Sequence, residues 1–191
     1  MESTRDLAEA MEQDFGPAWR QGAPLGAEEV ERFEQEHKIR LPEPYRDFVI
    51  NVANGAVGPA HYGLVALGAP SSDGPGHSIS RGSLATPFPL VESWLWEGSE
   101  DISDLDILER IEEVHTVGGL PLGTDGCGMN YALIVTGEAR GQVWMLSGEF
   151  ALPVATDFGA WLRGELLPDA EWLLENRPPP PAPDQRWRAG E

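Results

Sequence analysis

The sequence predicts an α+β fold, with a single, mainly antiparallel sheet flanked by helices, from two patterns. Apolar residues recur at helical spacing toward both ends of the chain, and they alternate at strand spacing between positions 117 and 146. With 191 residues and 41% hydrophobic content, the chain is long enough for one core of ordinary size. Because helices precede and follow one block of strands, we expect one sheet covered by helices.

Three helices are predicted before the strands. The first covers residues 6–15, and the second covers residues 28–37, where apolar positions lie one turn apart on an otherwise polar face. The third begins near residues 42–44, because proline's missing N–H has no intrahelical acceptor in the first turn anyway. We expect Asn54-Gly55 to supply the left-handed residue that closes this helix.

The middle of the chain contains a short strand, a loop and an acidic helix. Residues 62–67 are apolar enough for a strand, whereas residues 68–82 are rich in Gly, Ser and Pro and are typical of a surface loop. Between residues 97 and 114, Leu105, Leu108 and Ile111 recur every third position among acidic groups. This spacing predicts an acid-faced helix.

The strand block is expected between residues 117 and 146, with residues 137–141 as a short hairpin connection bounded by glycines. A last helix should follow, capped by Thr156 or Asp157. The alternating apolar residues are Leu120 and Leu122, then Tyr131, Leu133 and Val135, then Val143 and Met145. The apolar residues of the last helix are Phe158, Trp161, Leu162 and Leu166.

These elements predict three regions along the chain. Residues 1–25 form an N-terminal helical extension, residues 26–175 form the domain, and residues 176–191 form a proline-rich C-terminal tail. The tail is expected to be extended like polyproline and to stay outside the core.

The charge of the chain limits its partners. It carries 13 Lys and Arg against 32 Asp and Glu, a formal net charge of −19, which repels nucleic acid and anionic lipid. The same field attracts a basic protein and steers its approach. We therefore expect a protein partner, no nucleic acid and no membrane. The alternative is that the acidity only aids solubility.

The sequence indicates a cytoplasmic protein. Cys127 is the single cysteine, so no intrachain disulfide can form. The first residues lack the basic start and apolar run of a signal peptide, and no apolar stretch reaches the roughly 18 residues that span a bilayer.

Candidate catalytic and metal-binding patterns are weak. Cys127 lies near His115 and Asp125 in sequence, but its flanking glycines favour a tight corner between strands in which the thiol packs inward. The four histidines are scattered, and residues 101–106 depart from a calcium loop at Leu105 and Asp106. The glycine-rich stretch 118–128 lacks the ending of a phosphate loop. We expect no enzymatic activity, no cofactor and no metal.

A family resemblance extends over residues 28–167. Phe33-Glu34, the run Ile39-Arg40-Leu41-Pro42-Glu43-Pro44-Tyr45-Arg46-Asp47-Phe48 and Asn54-Gly55 resemble, in that order, the N-terminal signature of the SUKH (Smi/Knr-type) superfamily. Later segments resemble the family too: Pro87-Phe88-Pro89-Leu90, Leu120-Pro121-Leu122-Gly123, Gly126-Cys127-Gly128, Leu133-Ile134-Val135-Thr136-Gly137, Gly141-Gln142-Val143-Trp144 and Phe158 with Trp161-Leu162.

The resemblance implies a protein-binding role on an α+β fold with a mainly antiparallel sheet. Many bacterial members resemble immunity proteins that bind a toxin domain, and others are implicated in cell-wall regulation. We therefore expect an immunity protein that neutralises a basic, nucleic-acid-targeting toxin by occlusion and is monomeric without it. The alternative is an adaptor or regulator of the same fold that binds cellular machinery such as cell-wall synthesis factors.

The expected partner surface is the acidic segment together with two neighbouring tryptophans. A toxin that handles nucleic acid carries Lys and Arg, so an acidic inhibitor can imitate phosphate, and tryptophan is a favoured anchor at such contacts. The alternative is a solvated helix face with both tryptophans buried. The residues of this surface are Trp94, Trp96, Glu97, Glu100, Asp101, Asp104, Asp106, Glu109, Glu112 and Glu113.

Overall fold

The computed structural model describes residues 4–16, 18–69, 83–96 and 105–170. The order of helices, a block of strands and a last helix is as predicted, whereas the short strand before the acidic helix was not predicted. The helices are α1 (Thr4–Phe15), α2 (Ala27–His37), α3 (Glu43–Asn51), α4 (Leu105–Thr116) and α5 (Phe158–Leu162), with a 3-10 turn at Pro168–Ala170. The strands are β1 (Trp94–Leu95), β2 (Gly119–Gly126), β3 (Met129–Ile134), β4 (Val143–Leu146) and β5 (Phe150–Ala155).

The strands form one sheet in the order β1-β5-β4-β3-β2, and every neighbouring pair is antiparallel. The β2–β3–β4–β5 part is a meander, in which each strand pairs with the next along the chain. The prediction of an α+β fold with one mainly antiparallel sheet is therefore confirmed.

Both faces of the sheet are covered across β2–β5, which is why these four strands are buried along nearly their whole length. Leu133 and Met145 lie on the face that packs against the N-terminal helices and α5. Ile134 and Trp144 lie on the other face. The residues that cover this second face include Phe88, Leu90, Trp96 and Val114. The segment before β1 and helix α4 thus form a layer of their own.

The junction between α2 and α3 is held by Glu34. Its carboxylate accepts a hydrogen bond from the backbone N–H of Leu41 at 2.8 Å and one from Arg46 Nε at 3.1 Å. Helix α2 ends at His37 and is capped by Lys38, which adopts the left-handed conformation with φ 55°. The predicted start of α3 is confirmed, with Pro42 as the N-cap and Pro44 in the first turn.

Two sequence predictions around this helix are wrong. Helix α3 ends at Asn51, and Gly55, although its φ is +98°, lies in the loop beyond the C-cap Val52. The Asn54 side chain instead accepts a hydrogen bond from the N–H of Leu67. The predicted strand at residues 62–67 is also absent, because Leu64 forms only isolated bridges to Ala56 and Gly123.

Strand β5 was not predicted from the sequence. Its Phe150–Ala155 segment contains Pro153, which cannot donate a backbone hydrogen bond and is usually found at edges or bulges. Pro153 lies beyond the two residues of β5 that pair with β1, and a register shift occurs beside its partner Trp144. The proline is tolerated because that side of β5 has no neighbouring strand among the described residues.

The corner around Cys127 is present, but the cysteine does not pack inward. Gly126 pairs with Met129, and the two residues between them, Cys127 and Gly128, both have positive φ, at 53° and 80°. This geometry fits a two-residue type I′ hairpin turn. Residues at the tip of such a turn point to solvent, and the Cys127 side chain is exposed.

The remaining predictions have mixed outcomes. Asp157 caps α5 by accepting a hydrogen bond from the N–H of Ala160, as expected, but the helix ends at Leu162, before Leu166. The acidic helix runs from Leu105 to Thr116 within the described residues. Most of the expected loop, residues 70–82, the first part of the acidic segment, residues 97–104, and the proline-rich tail lie outside the described residues.

Candidate partner-binding surface

Helix α4 lies on the second face of the sheet through one side only. Val114 is buried, and Ile111, one turn earlier, packs against the same cluster of side chains. Ile107 precedes Ile111 by four residues and is also half-buried. The inward face therefore follows the 3.6-residue period of the helix, at positions 107, 111 and 114.

Of the predicted apolar row of Leu105, Leu108 and Ile111, only Ile111 packs against the sheet. A strict three-residue spacing drifts around an α-helix, because each step of three residues falls short of a full turn. Leu105 is 72% exposed and Leu108 is 47% exposed. Helix α4 thus presents two leucines to solvent.

The carboxylates of α4 lie on its outward side. Asp106, Glu109, Glu112 and Glu113 are all exposed. Glu109 and Glu113 are four residues apart, so their like charges repel along the helix. Glu112 and Glu113 also lie near the negative end of the helix dipole, where a negative charge is unfavourable. This arrangement destabilises the isolated helix, so the carboxylates are not explained by a contribution to helix stability.

His115 anchors the C-terminal end of α4 to the sheet. Its Nδ1 lies 2.8 Å from the carbonyl oxygen of Ile111, and its Nε2 lies 2.9 Å from the carbonyl oxygen of Ser147, in the turn between β4 and β5. The imidazole also meets Trp96 edge to face, with ring centroids 6.0 Å apart. Nothing in the sequence spacing indicated this contact, because 32 residues separate His115 from Ser147.

The two tryptophans of the predicted surface have different environments. Trp96 is only 2% exposed and donates its Nε1–H to the carbonyl oxygen of Gly148 at 2.7 Å. Its burial corrects its assignment as a partner contact. Trp94 is partly exposed, and the guanidinium of Arg110 on α4 lies 5.3 Å from its ring centroid. The centroids of the two indole rings are 4.7 Å apart, so the buried Trp96 packs against Trp94.

The structure therefore brings part of the predicted site together. Arg110 connects Trp94 to the same helix that carries the four exposed carboxylates. Four predicted residues lie outside the described residues: Glu97, Glu100, Asp101 and Asp104. The α4 surface is defined as the partly exposed Trp94 together with the exposed side chains of Leu105, Asp106, Leu108, Glu109, Glu112 and Glu113.

The residues weighed for thiol catalysis make other contacts. Asp125 is buried, and its carboxylate accepts hydrogen bonds from the N–H of His61 and the hydroxyl of Tyr131, both at 2.8 Å. Both ring nitrogens of His115 lie against backbone carbonyls. Asp125 therefore fixes the end of the β2–β3 hairpin to the preceding loop, and Cys127 lies at the exposed tip of that hairpin.

The described residues contain neither a metal-binding cluster nor a membrane-spanning helix. Across residues 4–16, 18–69, 83–96 and 105–170, no three His, Cys, Asp or Glu residues are grouped so that they could hold a metal ion. In the same part of the chain, no helix has the length and apolar character needed to cross a bilayer.

Comparison with known proteins identifies the family. Residues 24–164 match the SMI1 / KNR4 family (SUKH-1). The match covers most of the chain, from just before α2 to just after α5. The chain therefore belongs to the SMI1 / KNR4 (SUKH-1) family, as the sequence motifs predicted. No curated protein and no solved structure matches it.

Helix α1 lies outside the matched residues but is part of the same core. Leu7 and Met11 of α1 and Trp19 after it are buried among the side chains of α3 and α5. Trp19 and Phe48 have ring centroids 6.2 Å apart. The N-terminal extension therefore adds packing to the helical side of the sheet, opposite α4.

Proposed function

We propose that this chain is an immunity protein that binds a basic, nucleic-acid-targeting bacterial toxin and neutralises it by covering its active site. The α4 surface is the proposed contact. The proposal goes beyond family membership, because the same family fold serves proteins with different partners.

The single observation that supports this role best is the outward face of α4. It combines four exposed carboxylates with two exposed leucines, on a helix fixed to the sheet by His115. Like charges at positions 109 and 113 destabilise the free helix, and a cationic partner would relieve that repulsion. Burial of the two exposed leucines in a complex would also favour binding, because it removes apolar surface from water.

A basic toxin fits this surface by charge and by chemistry. A toxin active site that binds a phosphate backbone must present Lys or Arg there. Carboxylates spaced along a rigid helix can occupy those cations and exclude the nucleic acid. The net charge of −19 also accelerates encounter with a cationic partner at low ionic strength. Trp94 would provide the aromatic contact at the border of the acidic area.

The proposal assigns no catalytic step to this protein. Neutralisation by occlusion needs a rigid surface and tight binding, and it needs no nucleophile, cofactor or metal. Cys127 serves as a turn residue between Gly126 and Met129. An enzymatic alternative would require the Cys127→Ala protein to lose toxin protection while it keeps its fold and its affinity for the toxin.

The test starts from the genes that neighbour this one. A neighbouring gene for a secreted toxin is expressed in a host cell with and without this protein, and growth and complex formation are measured. We expect growth arrest by the toxin alone, rescue by co-expression and a stable complex of the two purified proteins.

A toxin from an unrelated neighbourhood, used as the control, should not be rescued. Repeated capture of cell-wall synthesis factors in place of a neighbouring toxin would contradict the immunity role and support an adaptor. Rescue without complex formation would also contradict neutralisation by occlusion.

A further inference from the structure

The sheet has one edge that no other part of the described chain pairs with. On the β2 side, Val65 donates its N–H to the carbonyl of Leu122, and Tyr62 donates its N–H to the carbonyl of Thr124. That edge is therefore partly occupied. On the opposite side, β1 (Trp94–Leu95) pairs with β5 and forms the outer edge of the described sheet.

The register of β1 determines which of its backbone groups face outward. Trp96 donates its N–H to the carbonyl of Glu149, and Leu95 lies opposite Phe150. Hydrogen-bonded and non-hydrogen-bonded pairs alternate in an antiparallel ladder, so Leu95 forms a non-hydrogen-bonded pair. The carbonyl of Phe150 accepts a hydrogen bond from the N–H of Ser147, on the β4 side of β5. This carbonyl therefore points away from Leu95, as expected for a non-hydrogen-bonded pair. The N–H and C=O of Leu95 therefore point away from the sheet.

The side chains at this edge do not protect it. Leu95 is 68% exposed, and Val91, four residues earlier, is 59% exposed. Natural edge strands are commonly protected by short length, lysine, proline or a bulge, and of these β1 has only its length of two residues. Here Glu92 and Ser93 lie between the two exposed apolar residues, and neither blocks the backbone.

We propose that β1 is a strand-addition site, at which an extended basic segment of the protein partner pairs with Leu95. In this mode, main-chain hydrogen bonds provide affinity and alternate side chains provide specificity. The inference rests on the proposed function in taking the partner to be a basic protein. Arg110 connects Trp94 of β1 to α4, so a partner on the α4 surface lies next to this edge.

Charge decides between a basic partner and a second copy of this chain. Two copies would each carry −19, and their mutual repulsion opposes pairing of one β1 with another. Exposed carboxylates also lie beside the edge, at Glu92 before β1 and at Glu149 opposite Trp96. A segment that alternates lysine or arginine with apolar residues would complement both these carboxylates and the side chains of Val91 and Leu95.

The test uses a short, end-blocked peptide of alternating lysine and valine, with a glutamate and valine peptide as the charge control. Amide hydrogen exchange of the full chain is followed by NMR during titration. We expect the lysine peptide to slow exchange of the Leu95 amide by at least about tenfold, because that N–H becomes hydrogen-bonded. The glutamate peptide should leave it unchanged.

Two variants separate backbone pairing from side-chain contact. Leu95→Ala keeps the outward N–H, whereas Leu95→Pro removes it and leaves the β5-facing groups of Trp94 and Trp96 in place. We expect Leu95→Ala to weaken peptide binding by no more than about tenfold and Leu95→Pro to abolish it. Unchanged exchange of the Trp96 amide in the free Leu95→Pro protein shows that the β1–β5 pairing is intact.

Four results would overturn the proposal, and three of them do not involve the toxin. These are no change at the Leu95 amide with the lysine peptide, equal binding by Leu95→Pro and Leu95→Ala, and a concentration-dependent dimer that protects this amide without peptide. A toxin captured equally well by the wild-type and Leu95→Pro proteins would also overturn it and would leave the proposed function intact. Failure of the wild-type protein to bind or neutralise any neighbouring toxin concerns the proposed function alone.

Discussion

His115 and Ser147 connect the acidic helix to the sheet, with Nε2 of the imidazole 2.9 Å from the carbonyl oxygen of Ser147. The other ring nitrogen contacts the carbonyl of Ile111 within α4 itself. Carbonyl oxygens only accept hydrogen bonds, so a ring nitrogen that carries a proton donates it to the carbonyl beside it. A fixed helix holds the carboxylates of the α4 surface in place before a partner arrives, which lowers the entropy cost of binding.

Replacement of this histidine should loosen α4 without unfolding the rest of the protein. His115→Ala removes both ring contacts and the packing against Trp96, and we expect a loss of about 1–3 kcal/mol in the free energy of unfolding. Hydrogen exchange of the α4 amides should increase more than that of β3 and β4. Glu112→Ala, an exposed change on the same helix, should stay within about 0.5 kcal/mol of the wild-type protein. Equal α4 exchange in the two variants would contradict the anchoring role.

Glu34 should contribute more to stability than Glu31, although both lie near Arg46. Glu34→Gln removes the charge that is hydrogen-bonded to Arg46 and Leu41 in a largely buried position, and we expect a loss of about 1.5–3 kcal/mol. Glu31 is 3.8 Å from Arg46 but its side chain is 57% exposed. Glu31→Gln should cost less than about 1 kcal/mol. Urea unfolding of the two variants tests this order, and a reversed order would contradict it.

Burial of Tyr45 should make the protein sensitive to alkaline pH. Burial raises the pKa of its hydroxyl well above the ordinary value of 10.0. As the pH rises above about 10, the unfolded chain therefore loses a proton that the folded protein keeps, and stability falls by up to about 1.4 kcal/mol per pH unit. Below that pH, this contribution is fully retained.

The variant Tyr45→Phe should remove this contribution. The ring keeps its edge-to-face packing on Phe158, at 4.9 Å between centroids, so neutral-pH stability should change little. The unfolding free energy of the variant should then decrease less steeply above about pH 10 than that of the wild-type protein. Parallel pH profiles for the two proteins would show that Tyr45 is not the group responsible.

Position 127 should tolerate residues that suit a hairpin turn. Cys127 adopts a positive φ of 53°, which is unfavourable for most L-residues, and Asn-Gly is a preferred pair in type I′ turns. We expect Cys127→Asn to raise the free energy of unfolding by about 0.5–1 kcal/mol. A β-branched residue, as in Cys127→Val, should lower it. Loss of toxin neutralisation in the well-folded Asn variant would contradict a purely structural role.

Much of the fold could be predicted because local patterns agree with the final packing. The prolines before Tyr45 start α3, Asp157 caps α5, and the glycines around Cys127 turn the chain between β2 and β3. In each case the conformational preference of the residue itself decides the local structure. These features could therefore be derived without knowing what lies on the other side of the core.

The errors arise where distant residues determine the outcome. Strand β5 was not predicted, and its Pro153 is tolerated because β1 pairs only with the first two residues of β5. Trp94 and Trp96 are only two residues apart, but Trp96 is the more buried of the two. It hydrogen-bonds the Gly148 carbonyl and packs in the cluster that contains Val114 of α4. The anchoring contact of His115 with Ser147 likewise depends on how α4 packs. Sequence spacing contains no information on these contacts, because they join segments that are far apart in the chain.

The acidic side of α4 is the proposed binding surface for the partner. The most direct measurement compares the affinity of a neighbouring toxin domain for two triple variants with the same change in net charge. One reverses charge on α4, with Glu109→Lys, Glu112→Lys and Glu113→Lys. The other reverses exposed charges on α1 and α2, with Glu9→Lys, Glu28→Lys and Glu36→Lys.

We expect the α4 triple variant to bind the toxin at least about 100-fold more weakly, and the α1/α2 variant less than about tenfold more weakly. The α4 variant should be about as stable as the wild-type protein, because the like-charge pair at positions 109 and 113 only changes sign and lysine suits the helix C-terminus. Equal weakening by both triple variants, or undiminished affinity of the α4 variant, would contradict the assignment of the partner surface to α4.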